Sequence, residues 1–260
     1  MIHVPTAPIA HLAFDLTAWA GGMGLGAALH RWRLGAAAEA IAGKVGGGYF
    51  AALAAGAVAG AWLIGSLNTL RAAQPALSHS VAGALAGAIV CVEIYKRLRG
   101  ITGSTGAVFV GPFALGVVIG RLGCFFAGLA DATYGRPTTL PWAVDLGDGI
   151  GRHPVQLYES AAMAAFLAVY LWALAGRRAW ALRRGFYALC IVYGAQRFAW
   201  EFLKPYPPLL GPFNLFHFLC GGLVAYGWIY WRADLARDRR AQERALSVPG
   251  SDHQPLRDLP

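Results

Sequence analysis

Apolar stretches of about 20 residues recur along the whole chain, and this repetition restricts the possible folds more than any other feature. At about 1.5 Å per residue, a helix of that length crosses the hydrocarbon core of a bilayer. Hydrophobic residues make up 57% of the chain and charged residues 13%, which is about half the charged share of an ordinary soluble domain. We therefore predict an all-α polytopic membrane protein. Its seven transmembrane helices are predicted over residues 8–30, 47–69, 77–95, 104–127, 155–176, 185–203 and 211–231.

Basic residues cluster in four segments between or after these spans: "RWRLGAAAEAIAGK", "KRLRG", "GRRAWALRRG" and "WRADLARDRRAQER". Because positively charged loops stay cytoplasmic, we predict an outer N-terminus and a cytoplasmic C-terminus. No Lys or Arg precedes the first span, so we expect that span to be a retained helix rather than a cleaved signal peptide. The net charge of +9 on the inner face favours contact with anionic membrane lipids over nucleic acid.

Residues 1–231 are predicted to form one transmembrane domain, and residues 232–260 a polar cytoplasmic tail with a short helix and then a disordered segment. The longest connection, residues 128–155, is rich in Gly, Pro and Asp, and its "PWAVDL" string alternates like a strand. We predict that it forms a small hairpin-like extracytoplasmic cap between helices 4 and 5.

The "HPVQLYE" string then restarts a helix, with Pro154 in the first turn and Gln156, Tyr158 and Glu159 within one turn. Helix capping and interfacial anchoring account for Pro154 and Tyr158. They do not account for Gln156 and Glu159.

Polar residues gather at the predicted outer ends of the helices. Taken singly, each has a structural interpretation, such as an arginine that extends to lipid headgroups or a hydrogen-bonded histidine. The "YGAQRFAWEFLKP" string, however, places Tyr193, Arg197 and Glu201 on one helical stripe, with the arginine beside a carboxylate. Two guanidinium groups at the headgroup level of one leaflet are suited to bind a phospholipid phosphate together. The alternative is that the arginines only contact ordinary headgroups. For Arg136 and Arg152 the two interpretations have equal weight. The outer-end residues are His79, Arg121, His153, Glu159, Arg197 and Glu201.

The four cysteines lie in different apolar spans, with neither a CxxC pair nor a Cys/His metal spacing, so we interpret them as buried structural residues. They are Cys91, Cys124, Cys190 and Cys220.

Five strings, "GRLGCFFAG", "YGRPT", "LPWAV", "RHPVQLYE" and "YGAQRFAWEFLK", resemble in order and spacing the prolipoprotein diacylglyceryl transferase family. The resemblance covers residues 76–231. It implies a seven-helix enzyme of the bacterial inner membrane that transfers diacylglyceryl from phosphatidylglycerol to the lipobox cysteine thiol of a prolipoprotein and releases glycerol phosphate. The implied partners are phosphatidylglycerol, the prolipoprotein lipobox peptide and membrane lipids.

By position, the resemblance implies that His79, Arg121 and Arg197 are catalytic. A thiol needs to lose its proton to become a nucleophile, and His79 is the candidate base. The two arginines are candidate donors to the phosphate of the leaving group, and no metal or organic cofactor is expected. The implied substrate-binding residues, apart from the two arginines themselves, are Gly135, His153, Gln156, Tyr158, Glu159, Tyr193 and Glu201.

The chain departs from the family pattern at several positions that bear on the headgroup pocket. Ser80 and Val81 replace a Gly-Gly pair, and the tyrosine of the first span has no clear counterpart near "FDLTAWAGG". Cys124 and Ala127 stand at the signature asparagines, and Leu129 at its acidic residue, with Asp131 offered by an inserted stretch. A divergent transferase with another donor or acceptor, or a non-catalytic protein that binds anionic phospholipid, is therefore the alternative. A transporter is disfavoured because the chain has no internal repeat with paired broken helices.

Overall fold

The computed structural model describes residues 1–70 and 77–246, with side chains through residue 244. The described chain is almost entirely helical, and every helix except α2 has at least 18 residues. Each of the seven predicted spans falls on one of these long helices. The helices are α1 (Ile9–Leu29), α2 (Gly35–Ala42), α3 (Gly47–Thr69), α4 (Val81–Leu98), α5 (Val110–Ala127), α6 (Val155–Ala175), α7 (Ala179–Glu201) and α8 (Leu215–Leu246).

Four helical segments in the described part of the chain are long and apolar enough to cross a membrane. Helix α4 carries Glu93, Lys96 and Arg97 near its C-terminal end, and two of these charges are paired at 2.8 Å between Lys96 Nζ and Glu93 Oε1. The four segments are Ile9–Ala42, Gly47–Thr69, Ala107–Asp131 and Val155–Ala175.

Helix pairs build the bundle: α1 packs on α5, α3 on α4 and α7 on α8, while α6 contacts both α5 and α7. A single large cluster of buried residues joins most of the helices. It includes Val110 and Ala114 of α5, Tyr170 of α6 and Tyr193 of α7, each exposed by 1% or less. The buried rings and small side chains of these helices therefore form one continuous core.

Glycine residues allow the backbones of α3 and α4 to approach each other closely. A Cβ added at Gly60 would lie 2.3 Å from the Gly83 carbonyl oxygen, and one at Gly87 would lie 2.2 Å from the Gly56 carbonyl oxygen. Side chains at these positions would separate the two helices, because small residues are what lets helix backbones approach. The abundance of Gly and Ala in the sequence predicts such contacts, and this pair confirms them.

Several helix ends differ from the predicted ones, including the start of α5, which lies at Val110 rather than near residue 104. Helix α7 begins at Ala179 rather than near residue 185, and its buried Arg184 pairs with Asp238 of α8. Helix α4 begins only at Val81, where the Ser80 hydroxyl accepts a hydrogen bond from the Gly83 N–H at 3.2 Å. Helix α8 runs without a break from Leu215 to Leu246, so the polar segment after residue 232 continues the last span instead of starting a separate helix. The predicted disordered tail lies, from residue 247 onward, outside the described residues.

The "PWAVDL" string forms a strand, as predicted, but with an additional partner from outside the loop. Strand β1 (Ile2–His3) pairs in parallel with β2 (Val144–Asp145), and Val144 also forms an antiparallel bridge with Arg152 inside the loop. The antiparallel bridge has the strand direction of the predicted hairpin, and β1 adds the N-terminus to this arrangement. The N–H groups of Gly147 and Gly149 each donate to the Asp145 carboxylate at 2.9 Å, and His3 Nδ1 lies 2.8 Å from it. These hydrogen bonds, the one from Gly147 above all, lower the pKa of Asp145.

Candidate functional site

A cavity of about 940 Å³ opens between α1, α5 and α7 and reaches the segment that precedes α4. Four residues singled out in the sequence, His79, Arg121, Tyr193 and Arg197, line it together. They come from two helices, α5 and α7, and one connecting segment, so only the packing of the bundle brings them to the same space. Much of the remaining lining is apolar, contributed by residues such as Trp19 and Phe113.

His79 lies in the short segment between α3 and α4 and is exposed. A Cβ added at Gly65 of α3 would lie 2.4 Å from the Ser78 carbonyl oxygen, so this glycine allows the segment to lie directly against the helix. The His79 ring centroid lies 5.9 Å from that of Trp62, and within the described residues the imidazole forms no hydrogen bond. Both ring nitrogens are therefore available to groups that enter the cavity.

Glu159 of α6 is the centre of a buried ion-pair network behind the cavity. Its carboxylate pairs with Arg121 Nε of α5, with Arg197 Nη1 of α7 at 3.3 Å and with Lys204 Nζ at 2.7 Å. The Glu159 side chain is only 1% exposed and that of Lys204 is not exposed at all. The ionic contacts offset the cost of taking these groups out of water, and they hold both guanidinium groups in fixed positions.

Glu201 supports the same network from the next turn of α7. Its carboxylate lies 3.5 Å from Arg197 Nη2, and it accepts a hydrogen bond from Asn214 Nδ2 at 3.1 Å. Counted over Arg121, Arg197, Lys204 and these two carboxylates, the network has three positive and two negative groups. The surplus formal charge of +1 favours an anion beside the arginines.

Two members of the network, Lys204 and Asn214, are absent from the sequence-derived set. Lys204 is part of the "EFLKP" string and stands three residues after Glu201, beside a predicted helix end. That position was the sequence feature from which its part in the site could have been predicted. Asn214 stands just before α8, where its side-chain oxygen also accepts hydrogen bonds from the N–H groups of Phe216 and His217 at 3.0 and 3.2 Å. This residue thus caps α8 and orients Glu201 at the same time.

The stripe of α7 is arranged as predicted for two of its three members, since Arg197 and Glu201 are neighbours. Tyr193 lines the cavity, and its ring packs edge-on against Phe113 with centroids 5.3 Å apart. No hydrogen bond joins Tyr193 to Arg197 in the described structure, so the tyrosine helps to form the wall and the carboxylates hold the arginine.

The remaining predicted substrate-binding residues do not line the cavity in the described structure. Gly135 packs against His153: a Cβ added there would lie 2.3 Å from the His153 carbonyl oxygen. Tyr158 accepts a hydrogen bond from Trp142 Nε1 at 2.8 Å. Gln156 is 1% exposed, and neither polar atom of its side chain has a hydrogen-bond partner among the described residues. A direct contact of these four residues with substrate stays a prediction.

The cysteines divide into two classes. Cys190 and Cys220 are buried, as predicted, whereas Cys91 and Cys124 are only half-buried. Cys124 lines the cavity, with Arg121 Nη1 at 3.6 Å and His11 Nε2 at 3.8 Å from its sulfur. The prediction of burial is therefore wrong for Cys91 and Cys124, and of these two Cys124 faces the cavity.

The chain is similar in sequence to known proteins. The profile of the family described as "Prolipoprotein diacylglyceryl transferase" matches residues 20–232. Proteins named phosphatidylglycerol–prolipoprotein diacylglyceryl transferase from Bordetella parapertussis and Cupriavidus pinatubonensis are 34% and 31% identical over 151 and 184 residues. These alignments cover 56% and 65% of this chain, and 54% and 63% of the two relatives. The relative from Nitratidesulfovibrio vulgaris is 33% identical over 151 residues, which is 56% of this chain and 51% of that protein.

The chain therefore spans between about half and just under two thirds of the length of the curated relatives it matches. The family profile extends further, from the middle of α1 into α8, and includes every residue of the ion-pair network as well as His79, Tyr193 and the whole of α5 and α7. On this match, together with the buried arginine pair and the histidine that face one cavity, the chain belongs to the prolipoprotein diacylglyceryl transferase family.

Proposed function

We propose that this protein transfers the diacylglyceryl group of phosphatidylglycerol to the lipobox cysteine of prolipoproteins, in the bacterial inner membrane. The observation that carries the proposal is the cavity in which His79, Arg121 and Arg197 meet. It combines an apolar lining, suited to lipid, with two fixed cations and an imidazole that has no hydrogen-bond partner among the described residues.

The donor phosphate is proposed to bind at the two arginines. The network behind them carries a surplus positive charge, which an anionic headgroup would neutralise. Arg197 Nε is buried and has no hydrogen-bond partner among the described residues, which leaves a donor for a phosphate oxygen. Because Glu159 and Glu201 already fix the guanidinium groups, little reorganisation is needed when charge develops on the leaving phosphate.

The acceptor thiol is proposed to lose its proton to His79. The thiolate sulfur then forms a bond to the glycerol carbon, and the bond from that carbon to the phosphate oxygen breaks, with its electron pair leaving on glycerol phosphate. Arg121 and Arg197 would stabilise that oxygen in a site of low dielectric constant. His79 suits the role of base because it lines the cavity and forms no competing hydrogen bond with any residue that the structure describes.

Seven membrane spans, α1 and α3 to α8, are proposed, with the N-terminus and the cap over residues 128–155 outside and the C-terminus in the cytoplasm. Contacts between basic segments support this orientation. Arg33 donates to the Ala175 carbonyl at 3.3 Å, and Arg97 donates to the Tyr230 hydroxyl at 3.3 Å. These contacts join the segment after α1 to the end of α6, and the end of α4 to α8. The basic residues thus gather at one end of the bundle, which favours a cytoplasmic location for that end.

The test is rescue of a bacterium depleted of its own diacylglyceryl transferase, combined with transfer of labelled diacylglyceryl to a lipobox peptide in detergent. We expect growth and a thioether product with the wild-type protein. Phosphatidylglycerol binding without rescue or product would contradict the proposal and favour a non-catalytic lipid-binding protein. A peptide with serine in place of the lipobox cysteine is the control acceptor.

A further inference from the structure

Three residues from distant parts of the sequence meet at one wall of the cavity. His11 Nε2 lies 3.1 Å from Asp131 Oδ1 and 3.8 Å from Cys124 Sγ, and the three atoms lie within 4.8 Å of one another. Cys124 and Asp131 are among the positions at which the chain departs from the family pattern described above. His11 lies in the first span, near the string in which the family tyrosine has no counterpart. Two of the departures, at Cys124 and Asp131, therefore lie together in space beside His11.

The packing of α1 on α5 creates this cluster. A Cβ added at Gly123 would lie 2.6 Å from Phe14 Cβ, so the glycine lets the first turns of α1 lie against the last turns of α5. Gly128 then adopts a positive φ of 71°, and the short helical turn Gly128–Asp131 brings its aspartate back towards α1. The ligand-type atoms are thus held on backbone that the fold keeps close.

The histidine has acceptor groups on both sides. Its Nδ1 lies 3.1 Å from Asp15 Oδ2, while its Nε2 faces both Asp131 and Cys124. A neutral imidazole carries one N–H, so if Nδ1 donates to Asp15, the lone pair of Nε2 points at a carboxylate oxygen and a sulfur. A cation between these three atoms would be coordinated by the nitrogen lone pair, the carboxylate oxygen and the sulfur, which otherwise repel one another. Thr133 donates from its hydroxyl to Asp131 Oδ2, which orients the other carboxylate oxygen towards His11.

The distances suit zinc. Tetrahedral Zn²⁺, with bonds of about 2.3 Å to sulfur and about 2.0–2.2 Å to nitrogen and oxygen, separates sulfur and nitrogen ligands by about 3.6 Å and nitrogen and oxygen ligands by about 3.4 Å. The observed separations are 3.8 and 3.1 Å. The carboxylate on the other ring nitrogen is the usual outer partner of a zinc-bound histidine.

We infer that His11, Cys124 and Asp131 bind one Zn²⁺ ion whose fourth position, open to the cavity, takes the acceptor thiol. Three protein ligands and one exchangeable position are typical of catalytic rather than structural zinc. This role rests on the proposed transferase function. On coordination the acceptor S–H bond loses its proton, which passes to His79. The metal-bound thiolate then forms the bond to the glycerol carbon while the bond from that carbon to the phosphate oxygen breaks, its electron pair leaving on the phosphate.

The first experiment measures the metal alone. Purified protein, stripped with a chelator and titrated with Zn²⁺ or Co²⁺, should bind one equivalent, and the Co²⁺ form should show a thiolate charge-transfer band in the near ultraviolet. Cys124→Ser should abolish that band, whereas Cys91→Ser, which changes the other half-buried cysteine outside the cavity lining, should retain it. Asp15→Asn should weaken metal binding by about 10- to 100-fold, the usual effect of losing an outer-shell carboxylate. Equal thermal unfolding of the metal-free variants checks that each one folds.

The second experiment tests the open position. A lipobox peptide should change the Co²⁺ spectrum, and a peptide with serine in place of cysteine should leave it unchanged. Absence of stoichiometric metal, or a Co²⁺ spectrum that does not depend on Cys124, would overturn the site. Full transfer by metal-free protein would overturn its role in thiol activation and leave the proposed function standing. A site that binds metal and thiol in a protein without transfer activity would contradict the proposed function alone.

Discussion

Replacing Glu159 with glutamine removes the carboxylate that contacts all three buried cations of the network. Its distances of 2.7 Å to Lys204 Nζ and 3.3 Å to Arg197 Nη1 correspond to about 5–6 kcal/mol of attraction each at an effective dielectric constant of about 20. Much of that attraction is offset by desolvation, and loss of one partner from a buried pair typically costs about 3–5 kcal/mol. The formal charge of the network would rise from +1 to +2 with no new anion beside it.

We therefore expect Glu159→Gln to lower the midpoint of thermal unfolding in detergent by about 6–20 °C, at about 2–4 °C per kcal/mol for a chain of this size. Tryptophan fluorescence would follow the transition. The matched control is Glu39→Gln, which alters an exposed glutamate on α2 and should shift the midpoint little. In the double variant Glu159→Gln/Lys204→Met, part of the loss should be recovered, because the buried ammonium, left with only the Glu201 carboxylate at 4.0 Å, is gone.

An unfolding midpoint for Glu159→Gln equal to that of Glu39→Gln would refute this reasoning. It would mean that the cations are hydrated or paired elsewhere, and that Glu159 is free to contact substrate directly. A double variant that is less stable than Glu159→Gln would likewise show that Lys204 contributes more than an unpaired charge.

Three further changes test the site and the cap. Arg121→Lys and Arg197→Lys should each reduce diacylglyceryl transfer strongly, because an ammonium group cannot replace a planar fork of donors on phosphate; wild-type rates in either variant would remove that arginine from the clamp. His79→Asn should slow transfer by about 10²- to 10⁴-fold at neutral pH and recover in part as rising pH supplies thiolate, whereas His30→Asn, at the far end of α1, should leave the rate unchanged. Since the folded-state pKa of Asp145 is lowered, its stabilisation of the cap should be full above about pH 4, the unfolded value, and disappear as the pH falls through the folded value. Proteolysis of the cap against pH would measure this, and Asp145→Asn should abolish the acid dependence.

Local patterns in the sequence were enough to predict the long helices. Length and apolarity specify a membrane-crossing helix within a single segment, because such a helix satisfies its own backbone hydrogen bonds. The position of Glu201 next to Arg197 is also local, since residues four apart share a helix face. The ends were less predictable: α7 begins at Ala179, inside the basic segment, and its Arg184 pairs with Asp238 of α8.

The sites depended on tertiary structure because their partners are far apart in the chain. Nothing in the "HPVQLYE" string shows that Glu159 pairs with Arg121 and Lys204 rather than with a headgroup. His11 and Cys124 meet although 113 positions separate them, and no spacing rule connects ligands on two helices. The sequence by itself determined which segments are helices and which residues carry charge into them. Only the packing of those helices decided which charges neutralise one another and which face the cavity, because Coulomb energy depends on distance in space rather than along the chain.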